Sequence, residues 1–245
     1  MIVEELLKFA EPRLRRRTAK DVRIGLSYTG VLLDDDSLGL AYSFREEAAQ
    51  CCSLLERAGE LEGDAWELAG LSLAPDAVGS SVGVATVNAA INRDARGKEG
   101  DALKFLDLKE GDEIGMVGDF KPMAEELKGR GHKLYVFERS PKREGVLPDW
   151  AAEYILPKLS VVLITGTAVI NKTIDHLLEL ARNAREIAVL GPSTPLAGEV
   201  FKKHGVTLLS GMVVEEPRKA LRIISQGGGA RELKRVARKV TLDLR

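Results

Sequence analysis

The chain has 245 residues, 44% of them apolar and 30% charged, a balance that supports a buried core and excludes a disordered or low-complexity polypeptide. Its formal charge of -1, from 36 basic and 37 acidic residues, removes the broad electrostatic pull that would make nucleic acid or an anionic membrane the main partner. No apolar run approaches the roughly 18 residues that span a bilayer, and residues 1–10 lack a basic lead-in to an apolar signal core, so the expected address is the cytoplasm.

Ile2, Val3, Leu6, Leu7 and Ala10 recur at helical spacing and predict a short opening helix ended by Glu11 and Pro12. The basic stretch 13–20 reads as a solvated connection. Val22, Ile24, Leu26 and Tyr28 then alternate with Arg23, Gly25, Ser27 and Thr29, the period-two signature of a strand with one buried face. Residues 31–33 and 38–44 continue a meander around Asp34, Asp35, Asp36 and Ser37, where short side chains cap local backbone donors. Three aspartates could also hold a cation, but the calcium-loop spacing and its closing Glu are absent.

Helical patterns follow at 45–57, 65–71 and 76–92, the last rich in small residues (Gly79, Ser80, Ser81, Gly83, Ala85) that permit close packing. Cys51 and Cys52, the only cysteines, fall in the first of these. Adjacent helical positions point about 100° apart, so the pair reads as small hydrophobes dispensable for metal binding; no disulfide framework or multi-cysteine zinc site is available. An antiparallel sheet followed by helices makes a smaller α+β domain over residues 1–95, and the polar, glycine-bearing stretch 93–100 marks its boundary.

From 96 to 245 one theme repeats: an apolar strand, a glycine or small polar residue, then a helix. The predicted strands are 113–117, 133–137, 161–165, 187–190 and 206–209; the helices lie near 122–130, 150–155, 173–182, 195–203 and 217–225. Strands apolar on both faces, alternating with helices, imply an α/β domain with a Rossmann-like parallel sheet covered on both sides. Right-handed crossovers then bring every strand's C-terminal end to one edge. After Gly227-Gly228-Gly229, an apolar stripe of Leu233, Val236 and Val240 among basic residues predicts a docking terminal segment with a solvated face.

In an open parallel sheet, ligands bind outside the carboxyl ends of the strands. That rule selects Gly118-Asp119-Phe120, Glu138-Arg139, Thr165-Gly166-Thr167 with Asn171, Gly191-Pro192-Ser193-Thr194, and Ser210-Gly211-Met212. In the fourth segment Ser193 or Thr194 can cap a helix that Pro195 begins, whose free N–H groups would attract an oxyanion; a cap and nothing more is the alternative. Glu138 lies about 20 residues past the first strand's end, where dinucleotide and adenosyl ligands commonly meet a ribose-binding acid. Gly111, Gly115 and Gly118 do not make the G-x-G-x-x-G turn, which disfavours a nicotinamide cofactor and leaves adenosyl binding open. No Ser/His/Asp or Cys/His constellation is recognisable, and His132, His176 and His204 read as surface residues away from the crevice.

Ordered stretches over nearly the whole chain carry a family resemblance: Gly39-Leu40-Ala41-Tyr42-Ser43-Phe44-Arg45-Glu46-Glu47, Gly83-Val84-Ala85-Thr86-Val87-Asn88-Ala89, Val117-Gly118-Asp119-Phe120, Val136-Phe137-Glu138-Arg139, Ile164-Thr165-Gly166-Thr167 on to Asn171-Lys172-Thr173, residues 191–196 and residues 227–229. In these the chain resembles the "putative heavy-metal chelation" family DUF364, with its DUF4213 domain at the N-terminus. The resemblance implies an N-terminal domain similar to that of enolase, joined to a Rossmann-like domain with a site at the junction. Glu46 and Asn88 would face that junction opposite Glu138, Thr165, Thr167, Asn171, Ser193 and Thr194. It further implies a small-molecule or metal-chelate ligand and, as cofactor, a divalent or heavy metal ion. The sequence lacks the thiolate and imidazole clusters that bind soft metals by themselves. An adenosyl-cofactor or nucleotide-dependent enzyme in the same cleft, and a non-catalytic interaction module, stay open beside that reading, as do catalysis and oligomeric state.

Overall fold

The computed structural model describes residues 1–48, 55, 57–141 and 143–245. The readings of Cys51 and Cys52, and most of the helix expected over 45–57, lie outside the described residues. Helix α1 (Ile2–Leu14) runs past the stop expected at Glu11 and Pro12. A proline this near a helix end forfeits one backbone bond, and fully buried Leu14 carries the stripe of Leu7 and Ala10 a further turn into the core.

Strands β1 (Thr18–Ile24), β2 (Tyr28–Leu33) and β3 (Leu38–Tyr42) form the antiparallel meander, with β4 (Gly63–Asp64) at its edge beside β1. The aspartate turn is as expected: Asp35 Oδ1 accepts from the Ser37 N–H at 3.1 Å and its hydroxyl at 2.6 Å. The single strand expected over 22–29 is instead two strands and a turn. The Gly25 N–H donates to the Tyr28 carbonyl, and a Cβ at Gly25 would stand 2.4 Å from the Ile224 carbonyl oxygen. A distant neighbour thus requires the glycine turn that the alternation concealed. Helices α2 (Arg45–Ala48), α3 (Ala65–Gly70) and α4 (Ala77–Asn92) follow, the last two capped by Asp64 and Asp76.

Next come β5 (Lys98–Glu99), β6 (Glu113–Val117), α5 (Lys121–Gly129), β7 (Lys133–Glu138), β8 (Val146–Pro148), α6 (Ala152–Ile155), β9 (Val161–Thr165), α7 (Thr167–Ile170) and α8 (Ile174–Leu180). The chain ends with β10 (Glu186–Leu190), α9 (Gly198–Lys202), β11 (Leu208–Val214), α10 (Pro217–Ser225), α11 (Ala230–Leu233) and β12 (Ala237–Asp243). The larger sheet has the order β5-β12-β11-β10-β9-β6-β7-β8. From β11 to β8 every pairing is parallel. Counted in chain order from β6, these six strands lie 3-2-1-4-5-6, the order of Rossmann sheets. Both faces are apolar: Ile114, Met116, Leu163 and Ala188 join one core, while Val162, Ile164, Ile187 and Val189 join the other. The terminal apolar stripe docks as a strand, β12 pairing antiparallel along all of β11. That ladder is why the strand expected at 206–209 extends to Val214.

The meander has both faces covered. On one side α4 comes so close that a Cβ at Gly39 would meet the Ala85 carbonyl oxygen at 1.9 Å. On the other lies α10, with Ile224 Cδ1 2.6 Å from where Gly30 would carry a Cβ. Leu221 and Ile224 cluster there with Tyr28, Leu32, Leu38 and Leu40, burial worth about 1.5–3 kcal/mol per large side chain. At the other end of the sequence, the Ile2 N–H donates to Asp175 Oδ1 at 3.0 Å. Among the described residues, no helix is long and apolar enough to cross a membrane.

Candidate functional site

A cleft of about 770 Å³ opens over the C-terminal ends of β6, β7, β9 and β10, and the meander forms its far wall. It lies at the switch point, where successive crossovers depart to opposite sides of β6 and β9 and leave the strand ends uncovered. At the end of β6 the chain turns through Gly118, φ +94°. A side chain there would collide with Thr165, its Cβ 2.9 Å from that of the threonine. The turn is pinned by Glu138, whose carboxylate accepts from the N–H of Asp119 at 3.1 Å and of Arg139 at 3.0 Å. Asp119 in turn accepts from Arg143 Nε at 2.7 Å.

After β9, the Thr165 and Thr167 hydroxyls lie 3.0 Å apart. Asn171 Oδ1 accepts from the Thr173 N–H at 3.2 Å and hydroxyl at 2.7 Å. Lys172 follows in a left-handed conformation, φ +61°. Its Nζ reaches Ser80 Oγ at 2.7 Å and the Ile170 carbonyl at 3.1 Å. Burial pushes this ammonium below the usual lysine range, and Asp76 pulls the other way.

The far wall is aromatic. Tyr28 and Tyr42 meet edge to face with centroids 6.0 Å apart, and Tyr42 meets Phe44 likewise at 5.2 Å. Burial, with Tyr42 beside it, pushes the Tyr28 phenol up to about 12, so it stays a neutral hydrogen-bonding group. The two walls are stitched together by the Tyr42 N–H, which donates to Ser193 Oγ at 2.8 Å.

Of the residues expected at the site, Asp119, Phe120, Glu138, Arg139, Thr165, Gly166, Thr167, Asn171, Gly191, Pro192 and Ser193 line this cleft. Glu46 is exposed on α2. Asn88, Thr194 and Gly211 stand behind the wall. Buried Asn88 donates through Nδ2 to the carbonyls of Leu40 at 2.8 Å and Ser193 at 3.0 Å. Gly211 lies within β11, not in a strand-end loop, and makes room for residues 194–196: a Cβ there would stand 2.9 Å from the Thr194 carbonyl oxygen.

The helix expected to begin at Pro195 starts only at Gly198, and Ser193, Thr194 and Pro195 are buried. The cause is Asn92, whose Oδ1 accepts from the Leu196 N–H at 2.8 Å while its Nδ2 donates to the Thr194 carbonyl at 3.0 Å. Those bonds keep 194–196 out of the helix, so α9 presents no N-terminus to the cleft for an oxyanion. His176, expected away from the crevice, lines it and bonds Glu153. Tyr28, Tyr42, Phe44, Trp150 and Lys172 also line the cleft without having been selected by the strand-end rule. A usable signal was aromatic scarcity: of six Phe, four Tyr and two Trp, Tyr28, Tyr42, Phe44, Phe120, Phe137 and Trp150 gather here.

The described residues contain no group of three or more His, Cys, Asp or Glu side chains placed to hold a metal ion. Glu138 accepts one backbone N–H on each oxygen and Asp119 faces Arg143, and neither belongs to such a group. The donor set therefore does not fit a soft metal bound by protein side chains alone.

Comparison with known proteins gives one consistent result. The family model DUF364, described as "Putative heavy-metal chelation", matches residues 101–243, and DUF4213, with the same description, matches residues 8–91. An uncharacterized protein of Methanocaldococcus jannaschii is 29% identical over 259 residues, covering 100% of this chain and 98% of its own. Two crystal structures of DUF364 proteins described as of unknown function superpose along the chain. One, from Desulfitobacterium hafniense, has a TM-score of 0.84 at 29% identity, covering 99% of this chain and 98% of that one. The other, from Pyrococcus horikoshii, has 0.88 at 25%, covering 99% and 100%.

Proposed function

The chain belongs to the DUF364 family, and from that premise we propose that it binds a small metal-chelating molecule, or its metal complex, between the meander and the strand ends. The carrying observation is the cleft itself. Its roughly 770 Å³ falls in the range of about 300–1,000 Å³ typical of small-ligand sites. Aromatic faces from residues 1–95 oppose hydroxyl and amide groups from residues 96–245, so both halves, taken as two domains, contribute. The chelator supplies the metal's ligand atoms, since the described side chains do not converge on one; the metal is cargo. Asp119, Glu138, Arg139, Thr165, Thr167 and Asn171 are the polar contacts of this reading, Phe120 and the backbone at Gly166 and 191–193 its shape.

A second reading, adenosyl-cofactor or nucleotide binding, is favoured by one observation: Glu138 closes the second strand of a 3-2-1-4-5-6 order, where such ligands place a ribose. Thermal unfolding of the intact protein with Ni²⁺ or Zn²⁺ alone, with their citrate complexes, with S-adenosylmethionine and with ATP separates the readings. A bound ligand at 100 times its Kd adds about 2.7 kcal/mol. The chelation reading expects the complexes to raise the Tm more than the bare ions and Tyr42→Ala to reduce the effect. Stabilisation by S-adenosylmethionine or ATP alone moves the assignment to the second reading, and no shift with any probe removes both.

A further inference from the structure

We propose that Lys172 is the anion-binding group of the cleft and holds a carboxylate or phosphate oxygen of the ligand against its ammonium. This rests on the cleft being a ligand site and names the chemical class that site takes.

At φ +61° a side chain crowds its own peptide, and glycine or asparagine would sit there with less strain. A lysine in that conformation points to a use of its side chain. The Nζ is then fixed in place. Ser80, fully buried on α4, donates its hydroxyl to the Ile170 carbonyl at 2.7 Å, so its oxygen lone pairs receive Lys172. The second Lys172 bond goes to that same carbonyl.

Both partners are neutral. Asp119 answers Arg143 and Glu153 answers His176, but no ion pair joins a carboxylate to Lys172 among the described residues. A half-buried ammonium whose hydrogen bonds all go to neutral acceptors has lost water, and its nearby carboxylate, Asp76, acts from a distance while accepting from the Gly79 N–H. Burial outweighs Asp76 and lowers its proton affinity, and an anion entering the cleft supplies a directly bonded charge. The rival explanation is purely architectural, with Lys172 tying α4 to the end of α7.

Acetic anhydride labelling of the intact protein, read by peptide mass spectrometry at constant ionic strength, separates the two. Metal-free citrate and inorganic phosphate are the two arms. At least one should slow acetylation of Lys172 tenfold or more while exposed Lys121 reacts unchanged, and the arm that protects identifies the ligand's anionic group. Lys172→Gly should then bind the protecting anion at least tenfold more weakly by calorimetry with an equal or higher Tm, because the strain is gone. Lys172→Gln repeats the affinity test should the glycine variant fold poorly. Protection by neither anion, wild-type affinity in Lys172→Gln, or a lower Tm with unchanged affinity in Lys172→Gly overturns the proposal. Because metal complexes are tested separately, any of these results leaves the chelation reading to stand or fall by itself.

Discussion

The loops that follow β9 and β10 leave adjacent parallel strands at one sheet edge with much the same polar vocabulary, Thr-Gly-Thr on to Asn-Lys-Thr in one and Gly-Pro-Ser-Thr in the other. They end differently. In the first, Thr165, Thr167 and Asn171 bond mainly within the loop and line the cleft. In the second, Ser193 accepts from Tyr42, its carbonyl accepts from Asn88, and Thr194 and Leu196 bond Asn92. Asn88 and Asn92 stand four residues apart, hence on one side of α4. What separates the loops is their neighbours: a hydroxyl at a strand end serves a ligand only where the rest of the chain leaves its bonding capacity open.

Three substitutions test that contrast. Asn92→Ala carries the largest expected effect. It strands the buried Leu196 N–H and Thr194 carbonyl, and two such groups at about 1–3 kcal/mol each put the loss at roughly 2–6 kcal/mol. Urea unfolding should show a lower midpoint at constant slope; a wild-type midpoint would mean that the second loop holds itself.

Asn88→Ala should lose less, about 1–2 kcal/mol. Its Oδ1 already lacks a partner among the described residues, and Leu40 lies in the β2–β3 ladder opposite Gly30. Affinity for whichever probe binds the cleft should be unchanged, and a selective loss of affinity would return Asn88 to the ligand site. The smallest stability change belongs to Thr167→Val, within about 0.5 kcal/mol. On the chelation reading it should nonetheless weaken ligand binding by up to about tenfold, one lost hydrogen bond. Titration calorimetry beside a melting curve resolves the two quantities.

The strands β6, β7, β9 and β10 were legible within a residue or so, because burial of both sheet faces forces continuous apolar runs such as 161–164. The strand-end rule likewise found most of the floor of the cleft. Features set by distant partners were hidden. Gly25 turns because Ile224 lies against it, residues 194–196 stay out of the helix because Asn92 binds them, and β12 exists because β11 offers an open edge. Lys172 was one basic residue among 36; its backbone conformation and neutral partners belong to the folded chain. The aromatic wall was obscure for the same reason, being carried by the meander and not by the strands it faces.

The covering of the meander by α10 sets an order on biosynthesis. A ribosome delivers residues 18–42 early, yet the face of β2 that carries Gly30 finds Leu221 and Ile224 only after residue 224 has been made. Translation at about 5–20 residues per second leaves that surface bare for roughly ten to forty seconds. During that interval the nascent meander is a candidate for chaperone capture or for pairing with another chain, so fragments ending before α10 should be recovered as aggregates.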